Sequence, residues 1–326
     1  MKNDYISEIH EKDKLVLHPY EDLKDRGTYN RKLIVKSDNI YLYDENGKRY
    51  IDGPGGMWCN NIGHGNKEIA EAIKNQIETM DYCSPFSESS EKAAELASVL
   101  SELSPGDLNT VFFTPDGSSA NETALRFMML YNNILGRPEK KHIISRDQAY
   151  HGSTYLTASI TGKDREKNNF DFESTFIHHV GSPNPYRRKD NQTVDDFCDE
   201  KVKEFEDKIL EIGPNKVAAY IAEPVLASGG CIVPPKNYIK RFWEICKKHD
   251  ILYISDEVVT GFGRLGHFFC SQEEFGIIPD IITSAKGITS GYIPLGAVLI
   301  SDRLMKSISK DSSLFFHGFT YSGHPV

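Results

Sequence analysis

The chain has 326 residues, a formal net charge of −9, 39% hydrophobic and 26% charged residues. That length holds one large domain plus a smaller piece, and the composition excludes a disordered or fibrous chain. With an acidic balance and no basic stripe, nucleic acid and anionic membranes are excluded as expected partners, and no apolar run approaches the roughly 18 residues of a membrane span.

Residues 1 to about 35 are polar and loosely patterned. Ile40-Tyr41-Leu42-Tyr43 and Lys48-Arg49-Tyr50-Ile51 then flank Asp44-Glu45-Asn46-Gly47, the pattern of a hairpin closed by an Asn-Gly turn. From about residue 66, Ile69, Ala72, Ile73, Ile77 and Met80 recur on one stripe and predict a helix. Strands and helices alternate further on. Thr110-Val111-Phe112-Phe113 predicts a strand, Ser118 to about Asn133 a helix, and His142-Ile143-Ile144 a strand leading through a turn to another helix. Lys216 to Glu223 reads as a buried strand, Asn237 to His249 as an amphipathic helix, and Ile251 to Asp256 as the next strand. The alternation predicts a mostly parallel sheet with helices on both faces. Ser182 to about Val194, rich in Pro and Asn, reads as a surface loop.

Six widely spaced cysteines without a C-x-x-C pair read as reduced thiols, with no zinc site. Met1-Lys2-Asn3-Asp4-Tyr5 leads into charged sequence without an apolar segment, so a cytoplasmic location is expected.

Two residues stand where strands end. Asp256 closes one apolar run, and Lys286 follows another, Ile281-Ile282-Thr283. A lysine amine that holds an aldehyde as a Schiff base, with a carboxylate facing a pyridine nitrogen, is the pair that pyridoxal 5′-phosphate chemistry needs. Open α/β sheets place ligands at that strand end. Thr114-Pro115-Asp116-Gly117-Ser118-Ser119-Ala120-Asn121-Glu122 joins a strand to a helix through Gly and hydroxyls, a ready anion site. The same residues also read as a serine N-cap and nothing more. Tyr150-His151-Gly152 brings an aromatic ring toward the same rim, although alone it also fits a core-edge tyrosine. Val258, two residues beyond Asp256, is expected on the same side of a strand as Asp256.

These segments, with Ala222-Glu223-Pro224-Val225, Ser255 to Gly266, Ala285-Lys286-Gly287 and His317 to Pro325, resemble the class III aminotransferases across nearly the whole chain. The resemblance implies the type I, aspartate-aminotransferase-like pyridoxal-phosphate fold. It implies Lys286 as Schiff-base lysine and proton shuttle, and Asp256 as partner of the pyridine nitrogen. Gly117 and Ser118 would bind the phosphate, Tyr150 would stack on the ring, Val258 would pack beneath it, and Glu223 would lie near its phenolic edge. Thr320 would reach the phosphate of the other subunit, which implies a homodimer. Gly56-Met57-Trp58-Cys59 with Ile62-Gly63-His64-Gly65 is similar to the ω-amine:pyruvate branch. There Trp58 would line the donor pocket, with Phe86 as a second aromatic wall, although Trp58 also reads as a core aromatic.

The expected activity is transfer of an amino group from an ω-amino acid, diamine or other primary amine to a keto acid, with pyruvate as the acceptor. A same-fold aminomutase or decarboxylase is the alternative, and a non-catalytic protein of this fold is disfavoured by the presence of both Lys286 and Asp256. Residues 1–60 are expected to form an N-terminal segment of a small domain and 61–326 the large cofactor-binding domain. The rest of the small domain, with a carboxylate-binding arginine, is expected beyond Val326. One departure from the family pattern is Ser119, where an acidic residue is usual.

Overall fold

The computed structural model describes residues 2–309 and 314–326. Helix α1 (Lys2–Asp13) lies within the stretch read as loosely patterned, and its largely polar sequence leaves no apolar stripe to betray it. Strands β1 (Ile34–Asp38), β2 (Tyr41–Asp44) and β3 (Arg49–Ile51) form an antiparallel sheet. The expected hairpin joins β2 to β3. Asp44 Oδ1 accepts from the N–H groups of Asn46 and Lys48 at 3.0 and 2.9 Å, and Gly47 takes φ 80°, which glycine adopts without steric cost. The short helix α2 (Gly55–Trp58) then carries Trp58 to the large sheet.

Helix α3 (Lys67–Thr79) is N-capped by Asn66, whose Oδ1 accepts from Glu68 and Ile69. Its apolar stripe exists but is only half-buried at Ile69 and Ile73, and Ile77 is exposed. Helix α4 (Glu91–Leu103) follows, and β4 (Thr110–Thr114) opens the central sheet. The remaining elements are α5 (Gly117–Ile134), β5 (His142–Arg146), α6 (Tyr155–Ile160), β6 (Ile177–Val180), α7 (Val194–Ile212), β7 (Val217–Ala222), α8 (Tyr238–Lys248), β8 (Leu252–Asp256), α9 (Cys270–Glu273), β9 (Ile281–Ser284), β10 (Gly296–Ile300) and α10 (Asp302–Ile308).

The central sheet has seven strands in the order β4-β10-β9-β8-β7-β5-β6. Only β10 is reversed, antiparallel to both β9 and β4. Alternate residues of each strand enter opposite cores. Ile143, Ile221, Ile254, Ile281 and Val298 pack against α5, α6 and α10. Ile144, Tyr220 and Tyr253 meet α7 and α8, and Ile282 and Leu299 meet α4. Each such aliphatic side chain, fully buried, contributes about 1.5–3 kcal/mol, so the sheet is held rigidly from both sides. The parallel strands all end on one edge, where Thr114, Ala222, Asp256 and Ser284 hand the chain to loops. That edge is the candidate site.

Candidate active site

Asp256 is the last residue of β8 and is only 3% exposed. Its Oδ2 accepts from Asn121 Nδ2 at 2.8 Å and lies 2.7 Å from His151 Nδ1, while Oδ1 accepts from the Val258 N–H at 3.1 Å. Each partner is itself held. Asn121 Oδ1 accepts from Thr283 Oγ1 at 2.6 Å and Asn121 Nδ2 also donates to His151 O at 2.8 Å, while His151 Nε2 sits 3.2 Å from Ser145 Oγ. A buried carboxylate needs such a network to offset its lost hydration. The network also fixes where its charge points.

Lys286 follows β9 and starts a single 3₁₀ turn, Lys286–Ile288. Its φ of 48° is left-handed, a conformation that costs a side chain about 1 kcal/mol or more and is kept where the surroundings demand it. The surroundings are the N-terminal segment. Ser290 Oγ accepts from the N–H groups of Asn61 and Ile62 at 2.8 and 3.1 Å, and Tyr292 OH accepts from Asn66 N–H at 2.7 Å while donating to Gly63 O at 2.8 Å. This clamp ties the loop carrying Lys286 to the loop carrying Trp58, whose ring centroid lies 5.6 Å from Lys286 Nζ. Among the described residues, Nζ has no hydrogen-bond partner. Burial holds its pKa below the ordinary lysine value, against the opposing pull of Asp256, Glu223 and Cys59.

At the other end of the cleft, α5 presents its N-terminus. Asp116, not a serine, is the N-cap, with Oδ1 accepting from Ser119 N–H at 2.9 Å, because the helix begins at Gly117, one residue before the expected start at Ser118. Gly117 is closely packed, so that a side chain there would need Val258 to give way. A Cβ there would stand 3.0 Å from Val258 Cγ1 and 3.4 Å from Ala285 Cβ. Ser118 Oγ accepts from Ser153 N–H at 3.2 Å. Glu223, buried just past β7, accepts from the N–H groups of Tyr150 at 3.0 Å and Ala227 at 3.1 Å. Burial pushes its carboxyl up from the ordinary range.

A cleft of about 770 Å³ gathers Trp58, Gly117, Ser118, Tyr150, Glu223, Asp256, Val258 and Lys286, which the sequence singled out. It also takes in Asn121 and His151, whose roles the sequence did not reveal. One reading changes. Val258 reaches the cleft from a turn, since β8 ends at Asp256, so strand alternation is not what aims it. Phe86 is 72% exposed and lies outside this cleft, near Gly318, because the loop before α4 runs over the outer surface. Thr320 is likewise exposed and outside it, its carbonyl accepting from Tyr82 OH at 2.9 Å. Among the described residues no helix is long and apolar enough to cross a membrane, and no group of three or more His, Cys, Asp or Glu could hold a metal.

This fold and cleft define a pyridoxal-phosphate enzyme of fold type I, and the chain belongs to the class III aminotransferases, whose family model matches residues 25–326. It is 39% identical over 311 residues to the putrescine–pyruvate aminotransferase of Pseudomonas aeruginosa, covering 95% of this chain and 68% of that one. With the vanillin aminotransferase of Capsicum annuum it shares 41% identity over 300 residues, covering 90% of this chain and 65% of that one. Its fold is similar to an (S)-enantioselective omega-transaminase from Thermomicrobium roseum, with a TM-score of 0.94 at 40% identity over 98% of this chain and 71% of that one. The omega transaminase of Pseudomonas jessenii in complex with PMP gives 0.94 at 40%, over 97% and 71%. The chain thus spans about two thirds to seven tenths of these relatives.

Class III aminotransferases use pyridoxal 5′-phosphate, and the residues here fit it. The cleft offers a helix N-terminus for a dianion, a fixed carboxylate for a pyridinium, and an amine without a hydrogen-bond partner for an aldehyde.

Proposed function

We propose that the protein transfers an amino group from an ω-amino acid, a diamine or another primary amine to a keto acid, with pyruvate as acceptor. The observation that carries this is the meeting of Lys286 and Asp256, from the ends of neighbouring strands β9 and β8, in one cleft. Bound there, pyridoxal phosphate supplies an electron sink for the negative charge left when a substrate carbon loses its proton.

The chain's own groups do the rest. The N–H groups of Gly117 and Ser118, with the Ser118 hydroxyl, bind the phosphate. Asp256, fixed in position by Asn121 and His151, would face the ring nitrogen. Tyr150 and Val258 would hold the ring between them, and Glu223 accepts from the Tyr150 N–H and so fixes that backbone. Nζ of Lys286, depressed in pKa by burial, is neutral in a larger fraction at neutral pH than a surface amine. It can therefore take a proton from the substrate carbon and return it. Trp58 and Met57 wall the donor side.

Thr320 and Phe86, exposed on this subunit, serve a second copy in a homodimer, with Thr320 reaching the partner's phosphate. Residues 1–60 belong to a small domain and 61–326 to the large one. Six free cysteines fit the reducing cytoplasm. The test is a donor screen on the holoenzyme with pyruvate, read as alanine formed. Alanine that appears only when an amine donor is present supports the reading. Turnover of one substrate without any acceptor would favour a decarboxylase or aminomutase.

A further inference from the structure

The mouth of the cleft, unlike its floor, is charged in a way that the transfer reaction does not require. Lys163 precedes and Glu166 ends the single turn Asp164–Glu166, which carries Arg165 at the cleft's edge. Both oxygens of Glu166 are taken. Oε1 accepts from Lys163 Nζ at 3.2 Å, and Oε2 accepts from the hydroxyl of Tyr20 at 3.1 Å, across 146 residues of chain. Lys163 also donates to Ser228 Oγ and sits 5.1 Å from the Tyr150 ring centroid. Arg165 is different. Its Nη2 is 3.9 Å from Glu166 Oε1, too far for a hydrogen bond, and its side chain is 84% exposed. One carboxylate therefore faces two cations, and the guanidinium at the opening keeps its fork of donors free.

We propose that this mouth selects amine donors whose far end carries a carboxylate, with Arg165 as the specificity-determining residue. The inference rests on the aminotransferase reading and names the donor class within it. Lys286 and Arg165 line the same cleft, and Ile293, Pro294 and Leu295 add apolar lining to it, so an amine whose nitrogen reaches Lys286 has its chain within a cleft that Arg165 also borders. A terminal carboxylate there meets a planar fork that matches its two oxygens. A second ammonium, as in a diamine, meets like charge, and a plain alkyl end meets neither. Glu166 already accepts from Tyr20 and Lys163, so its charge is partly met before an ammonium arrives. The names of relatives fall on both sides, a putrescine–pyruvate aminotransferase and a gamma-aminobutyrate transaminase, so the mouth is the feature that decides for this chain.

The experiment compares three amines of one length, 4-aminobutanoate, butylamine and 1,4-diaminobutane, in the donor half-reaction of the holoenzyme. Without acceptor, the cofactor absorbance reports each rate. Wild type should rank them in that order. In Arg165→Glu the rate ratio of 4-aminobutanoate to butylamine should fall by about 10-fold or more, and that of the diamine to butylamine should rise. Arg165→Gln should fall between. Ratios unchanged within twofold in Arg165→Glu would overturn the assignment. A wild type that converts none of the three amines would instead overturn the transaminase reading. Pentanoate, which cannot react, separates the two cases. By calorimetry it should bind wild type and weaken about 5-fold or more in Arg165→Glu, whereas equal binding counts against the mouth whatever the turnover.

Discussion

The strand edge around Asp256 and the outer loops near Thr320 are treated in opposite ways by the structure. Around Asp256, each polar neighbour finds its partner inside the same chain. Asn121 bridges Asp256 and Thr283, His151 bridges Asp256 and Ser145, and all of these are buried. Around Thr320, large apolar side chains face outward. Phe86 is exposed, and so are Tyr82, Phe316 and Tyr321, although Tyr82 and Tyr321 meet edge to face at 6.2 Å. Contiguous exposed aromatics of this kind mark an interaction surface. The lesson is a division of labour. The polar groups around Asp256 are satisfied within this chain, whereas the aromatic side chains near Thr320 are left exposed by it.

The largest effect should come from breaking the buried half. Asp256→Asn keeps the shape but loses the charge, and turnover should fall by 10²-fold or more, about 3 kcal/mol for a lost charge partner in a dry site. Phosphate-anchored cofactor should still bind, seen as retained absorbance after gel filtration. Near wild-type turnover would show that another group serves the ring nitrogen. Asn121→Ala should cost less, on the order of 10-fold, because His151 still holds Oδ2. A loss equal to that of Asp256→Asn would make Asn121 an equal partner.

The outer half is sharpened by mixing subunits. If Thr320 reaches across a two-fold axis, Lys286→Ala and Thr320→Ala chains form heterodimers with one doubly damaged site and one intact site. Activity in the mixture should then exceed the sum of the parents. No gain, with heterodimers verified by mass, would assign Thr320 to its own subunit.

A smaller effect is expected on the strand beside the buried half, where His179 pairs with Ser145. His179, on β6, is held neutral by burial with its pKa lowered from 6.5 to about 4. In this window the unfolded chain binds the proton more readily, so stability is full above the unfolded value. It is lost as pH falls from 6.5 toward 4. The loss should be on the order of 2 kcal/mol. His179→Gln should flatten the denaturation profile over that interval, and an unchanged slope would place the acid sensitivity elsewhere.

Much of the buried half was legible in the sequence because it is local. The runs ending at Asp256 and near Lys286 are β-branched and apolar, and their ends needed no knowledge of partners. The partners themselves were not legible. Asn121 and His151 lie 135 and 105 residues from Asp256, and only the sheet order brings them together. Strand β10 was missed because Gly296 to Ile300 is a short apolar run after a proline-bearing loop, and its reversed direction depends on contacts with β4 and β9. The same holds for the mouth, where Tyr20 and Glu166 carry no motif at all. Phe86 was assigned to a pocket by resemblance, and in this chain it is exposed.

The central claim, that Lys286 is the amine that holds the cofactor, is tested most directly by borohydride reduction of the holoenzyme followed by peptide mapping. The pyridoxyl mass should fall on the peptide containing Lys286 and vanish in Lys286→Ala. Its recovery on Lys163, the other lysine lining the cleft, would contradict the account.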